Sequence, residues 1–80
     1  MNNEPKEFAI RITSRDECRA VQLKAFDLGY IWAEGTREIV HLEAKNITFT
    51  TKKKLWWSDS NRGESAESFL GYSPESYNIY

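Results

Sequence analysis

The apolar positions of this chain change period along its length. In "EFAIRIT", Phe8, Ile10 and Ile12 alternate with Ala9, Arg11 and Thr13. Period two predicts a strand with one buried face. From Ser14 the period lengthens. Cys18, Val21, Ala25 and Leu28 fall on one stripe of a 3.6-residue helix, with Phe26 on its border. Ser14 and Glu17 have the spacing of a capping box. Asp16 and Glu17 also sit at the positive end of the helix dipole. Gly29 stands where a left-handed residue ends a helix. The spacing predicts a helix over 15–28.

Beyond Gly29 period two returns in short pieces. "YIWA" and "REIVHL" flank the turn Glu34–Thr36, which predicts a hairpin of 30–33 with 37–42. "EAKN" connects this hairpin to another strand, "ITFT". A turn through Lys52, Lys53 and Lys54 then leads into "LWW", where Leu55 and Trp57 face one side and Trp56 the other. The expected fold is α+β, one helix packed on a small antiparallel sheet in the order β-α-β-β-β-β. A single domain spans 1–80. It has a loose polar lead-in over 1–6, an α/β body over 7–57, and an acidic aromatic C-terminal tail over 58–80. In that tail "SAESFLGY" can form a short helix, with Ser65 or Ser68 as cap and Phe69, Leu70 and Tyr72 as apolar anchors. Tyr77, Ile79 and Tyr80 suit a segment that docks on its own domain or on a partner.

Composition adds three constraints. The chain has 80 residues, with three Trp, four Tyr and four Phe. So small a domain buries only about 60–65% of its unfolded surface, and large rings partly offset that. A homodimer is one way to extend such a core. The formal net charge is −1, which gives no general case for phosphate binding. Charge is uneven, however: residues 1–57 hold ten Lys/Arg against eight Asp/Glu, and 58–80 hold one against four. A near-neutral body with an acidic end suits protein contacts better than a nucleic-acid groove. Finally, one cysteine, Cys18, makes no internal disulfide. No apolar run approaches the ~20 residues of a membrane span, so a cytoplasmic location is expected.

The segment "ITSRDECRAVQLKAFDLGYIW" resembles a loose group of very short bacteriophage-encoded α/β proteins. The shared pattern is an opening strand, a Thr-Ser cap, a helix with Val-Gln and Phe, then Leu-Gly-Tyr and a Trp, then short strands. Thr13, Ser14, Val21, Gln22, Phe26, Leu28, Gly29, Tyr30 and Trp32 carry it. The resemblance covers roughly residues 8–57 and stops before the acidic tail. It implies a phage accessory protein, acting in the host cell cytoplasm, with a small α/β fold. It implies no catalytic motif.

Residue chemistry points the same way. His41 is the only histidine and shares a predicted strand face with Ile39. Strand geometry brings neither Glu38 nor Glu43 to it in a motif that general acid–base work needs. Cys18 lies on the core stripe, which favours a structural thiol over a nucleophile. One Cys and one His cannot supply the usual four zinc ligands. No enzyme activity, metal or cofactor is expected.

The tryptophans carry the functional reading. A sheet covered by one helix has one dry face, so Trp56 or Trp57 lies off the core. Three roles stay open: extended core under the tail, a partner interface, or a base-stacking platform beside lysines. Leu23, off the helix stripe, becomes part of a contact patch if it adjoins Phe26. The expected function is binding and inhibition of a host or antiphage-defence protein. The contact set is Lys52, Lys53, Lys54, Trp56, Trp57, Phe69, Tyr72 and Tyr77. The alternative is a nucleic-acid or nucleotide binder using the lysine turn and an exposed Trp.

Overall fold

A computed structural model describes residues 7–72. The elements run β1 (Phe8–Arg11), α1 (Arg15–Asp27), β2 (Ile31–Trp32), β3 (Asn46–Phe49), β4 (Lys54–Ser58), β5 (Glu64–Ser65) and α2 (Ala66–Leu70). The strands form one five-stranded sheet in the order β2-β4-β3-β1-β5. β3 pairs antiparallel with β1 and β4, while β2–β4 and β1–β5 are parallel. The sheet is therefore mixed, not antiparallel as expected, and β3 alone runs against the other four. The reason is α1. A helix between β1 and β2 is a crossover, and a crossover returns the chain in its original direction.

The helix begins as its cap predicts. Ser14 is extended, and its Oγ accepts the Glu17 N–H at 3.1 Å. The Glu17 carboxylate accepts from the Thr13 N–H and hydroxyl at 2.9 and 2.8 Å, one residue before the cap. Cys18, Val21 and Ala25 are buried as expected, and Phe26 packs on the border of the core. Leu28 departs from the stripe. It is the C-cap and is 47% exposed, because the helix ends at Asp27.

The dry face of the sheet collects Phe8, Ile10, Ile47, Phe49, Leu55 and Trp32 against α1. Phe49 is the hub. Phe8 stacks on it at 4.7 Å between centroids, Tyr30 meets it edge-on at 4.9 Å, and Phe69 tilts onto it at 5.1 Å. Each aromatic pair of this kind adds about 0.5–1.5 kcal/mol beyond area burial.

The predicted hairpin does not form. Residues 33–36 do turn: Gly35 N–H donates to Trp32 O at 2.7 Å, and Trp32 N–H to Thr36 O at 2.9 Å. Residues 37–42 then leave the sheet and cross toward α1. Side chains, not a strand, satisfy their backbone. Trp32 Nε1 donates to Glu38 O at 3.2 Å. The Gln22 amide donates to Val40 O at 2.6 Å and accepts from Val40 N–H at 3.0 Å. Cys18 Sγ donates to His41 O at 3.3 Å. With that segment gone, β4 takes the place beside β2.

The chain after β4 is also more integrated than an acidic tail. β5 pairs with β1, and Ser65 caps α2 as one of the two expected caps. Leu70 is buried, and Phe69 is half-buried against Phe8 and Phe49. Lys24 donates to Phe69 O at 2.7 Å and lies over its ring at 4.8 Å. Residues 58–72 thus belong to the domain. The expectations for residues 1–6 and for Tyr77, Ile79 and Tyr80 fall outside the described residues.

Candidate functional site

The β3–β4 turn sets the geometry of the lysines. Lys53 N–H donates to Thr50 O at 3.1 Å, and Thr50 N–H to Lys54 O at 3.0 Å. Lys53 has φ 65°. This is a three-residue hairpin loop whose last residue is left-handed. The three lysines are consequently not equivalent. Lys52 is exposed at the tip. Lys53 folds back, donating to Leu28 O at 3.1 Å and lying 4.7 Å from the Tyr30 ring centroid. Lys54 is not in the turn; it is the first residue of β4.

From Lys54 the strand alternates. Leu55 is fully buried on the helix side. Trp56 faces the opposite side with Lys54 and the paired Thr48, and is 57% exposed. Trp57 shares the helix face with Leu55, yet it is 46% exposed. The helix does not reach it. His41 covers one part of it instead, stacking on the Trp57 ring at 5.2 Å and 21°. The same imidazole meets the edge of the buried Trp32 at 4.8 Å, and its Nε2 lies 3.3 Å from Glu34 Oε2.

His41 therefore corrects the strand reading. It lies outside any strand with φ 56°, and its carboxylate neighbour is Glu34. The 33–36 turn creates that pairing, and sequence spacing gave no signal for it. Arg15 and Glu43 form an exposed ion pair beside this cluster. Together with His41, Leu42 and Trp57 they line a cleft of about 400 Å³.

The proposed contact residues are not one surface. Lys52, Lys54, Trp56 and Trp57 gather around β4. Phe69 is withdrawn, because it packs into the core beside β1. Tyr72 is exposed, but it lies on the opposite flank, in a groove with Leu23, Ala20 and Leu70 between α1 and α2. Leu23 thus joins a patch, with Leu70 and Tyr72 instead of Phe26. The described part of the tail covers neither Trp56 nor Trp57. β5 lies three strands from β4, about 14 Å at the usual spacing.

Cys18 is fully buried, and burial pushes its thiol pKa up; the Gln22 hydrogen bond opposes this only in part. An activated thiolate needs the opposite shift. The raised value has a stability consequence. Protection by the neutral thiol is complete below the unfolded-state pKa and is lost as pH rises through the folded one. Above about pH 8.5 the wild type should lose stability relative to Cys18→Ala. Urea midpoints of both proteins at pH 7.5 and pH 10 test this, and an unchanged difference would refute it.

Among the described residues, no cluster of three or more His, Cys, Asp or Glu could hold a metal ion, and no helix is long and apolar enough to cross a membrane. No family model, curated protein or solved structure matches this chain.

Proposed function

We propose that this protein is a non-enzymatic bacteriophage accessory protein that binds a host or antiphage-defence protein and occludes one of its working surfaces. One observation carries the binding reading: two adjacent tryptophans, Trp56 and Trp57, each expose about half their surface on opposite faces of one strand. A small domain with marginal burial has every reason to cover such rings. Leaving both in water is a cost that a binding surface explains, since Trp is the residue most enriched at interface hot spots. Lys52 and Lys54 beside them favour an acidic partner through steering. The phage assignment rests on the resemblance in the strand–helix–Trp segment.

The test is affinity capture from host lysate with the tagged protein. Trp56→Ala with Trp57→Ala should weaken capture of a specific partner at least tenfold. Folding should survive, because both rings are about half exposed and neither belongs to the core cluster, so truncation leaves that cluster intact. Recovery of no specific partner from infected or uninfected cells would sink the proposal.

A second reading has its own support. Lys54 and Trp56 are two residues apart in β4 and share the face away from α1. A cation beside an exposed ring is the arrangement that holds single strands. Tryptophan fluorescence titration with oligonucleotides at two salt concentrations separates the readings. Salt-sensitive quenching would favour strands, and none at micromolar ligand would remove this alternative.

A further inference from the structure

Among the described residues, the edge of β4 beside Trp57 is open. Bond direction along the strand follows from its pairings. Thr50 N–H donates to Lys54 O, which makes Phe49–Leu55 a pair without mutual bonds, and Ile47–Trp57 another. The main-chain groups of Leu55 and Trp57 therefore point away from β3, toward the line of β2. Leu55 finds a partner there: Ala33 N–H donates to Leu55 O at 3.0 Å. Trp57 is next in line. By then the chain has left, because residues 33–36 turn and 37–42 cross to α1. Among the described residues, β2 ends opposite Leu55 and no turn or loop group bonds the Trp57 N–H or C=O, which its register turns away from β3. A notch of about 320 Å³ opens at this place, lined by Trp32, Ala33, Glu34, Leu55, Trp56 and Trp57.

We infer that this notch receives a short extended segment of the partner protein, added to the sheet as a strand in the line that β2 abandons. The inference rests on the protein-binding reading above and gives it a mode. An unpaired main-chain donor and acceptor on a strand edge are matched by another backbone. The flanking rings supply selectivity. Successive side chains of an added strand point to opposite faces, so one meets Trp56 and the next meets Trp57. The segment is therefore extended, free of proline at the paired position, and apolar or aromatic at two consecutive residues.

The probe is a library of linear seven-residue peptides selected on the folded protein. Selected peptides should carry that consecutive apolar pair. N-methylation of the peptide backbone should weaken binding at least tenfold at the one residue that donates to Trp57 C=O and less than twofold at its neighbours. In the protein, Trp57→Pro removes the N–H and the ring, while Trp57→Ala removes only the ring. The Pro variant should bind at least fivefold more weakly than the Ala variant. Circular dichroism checks its fold, and the N-methyl series on wild-type protein stands if it does not fold. Peptides indifferent to N-methylation would overturn strand addition while leaving the Trp surface as a binding site. Selection of no peptide would overturn strand addition too, and a partner captured from lysate would then show that the broader reading survives. Concentration-dependent dimers that Trp57→Pro abolishes would replace the partner segment with a second copy of this chain.

Discussion

Gly63→Ala should destabilise the domain by about 2–5 kcal/mol, from a strained dihedral plus overpacking. Gly63 has φ +113°, a conformation that side chains rarely adopt, and it lies against β1. A Cβ there would stand 2.6 Å from Ala9 O and 2.7 Å from Ala9 C. Both are backbone atoms of a central strand, so nothing flexible can give way. The loss would undo the docking of β5 on β1, which Arg11 also supports by donating to Gly63 O at 3.2 Å. A domain of this length has total stability of only about 4–12 kcal/mol. Gly29 supplies the control. It has φ +98°, with nothing within 4 Å of its would-be Cβ. Gly29→Ala carries the dihedral cost alone, about 1–2 kcal/mol. Urea denaturation of both variants separates the effects. Equal midpoints would show that the contact with Ala9 gives way freely.

Gln22→Leu should cost about 2–4 kcal/mol, since it strands backbone groups at about 1–3 kcal/mol each. Gln22 is fully buried in the middle of α1. Its amide bonds both the N–H and the C=O of Val40, as a neighbouring strand would, and its Nε2 also lies 3.3 Å from Cys18 Sγ. Leucine fills similar space and offers neither bond. The cost stays below that of two fully buried orphans because Val40 is only half-buried and water can reach part of the site. Hydrogen exchange gives the sharper readout. The Val40 amide should lose protection in Gln22→Leu more than amides of β3 do. His41 would be released with the same segment, and the environment of Trp57 would change with it. An unaltered urea midpoint together with unaltered Val40 exchange would contradict the clamp.

These two residues mark where sequence reasoning stopped. Gln22 stood on the buried side of a correctly placed helix, but an alternation of apolar and polar residues cannot show that a side chain will replace a strand. "REIVHL" has good strand periodicity, so its local preference pointed to a hairpin. The tertiary alternative prevailed because Trp32, Gln22 and Cys18 together satisfy its backbone. The tail was legible in part: the Ser65-capped helix and its anchors Phe69 and Leu70 form as expected, while the choice of Phe8 and Phe49 as what Phe69 docks on was made by the tertiary structure.

The candidate site was legible in part. The alternation in "LWW" separates Trp56 from Leu55 and Trp57, and the paired strands keep that separation. The exposure of Trp57 was not legible. It depends on how far α1 extends over the sheet and on the segment that brings His41 to the ring.

By itself, the sequence determined the local elements: the β1 strand from period two, the α1 helix from its cap and stripe, and the β4 alternation from "LWW". Those features depend on neighbours a few residues apart, where sterics, capping and side-chain period act directly. Tertiary structure alone decided the strand order, the parallel pairing of β2 with β4, the departure of 37–42 from the sheet, and the exposure of both tryptophans. Each of these depends on which distant groups complete the hydrogen bonds and the packing, and that choice is settled only when the whole core is assembled.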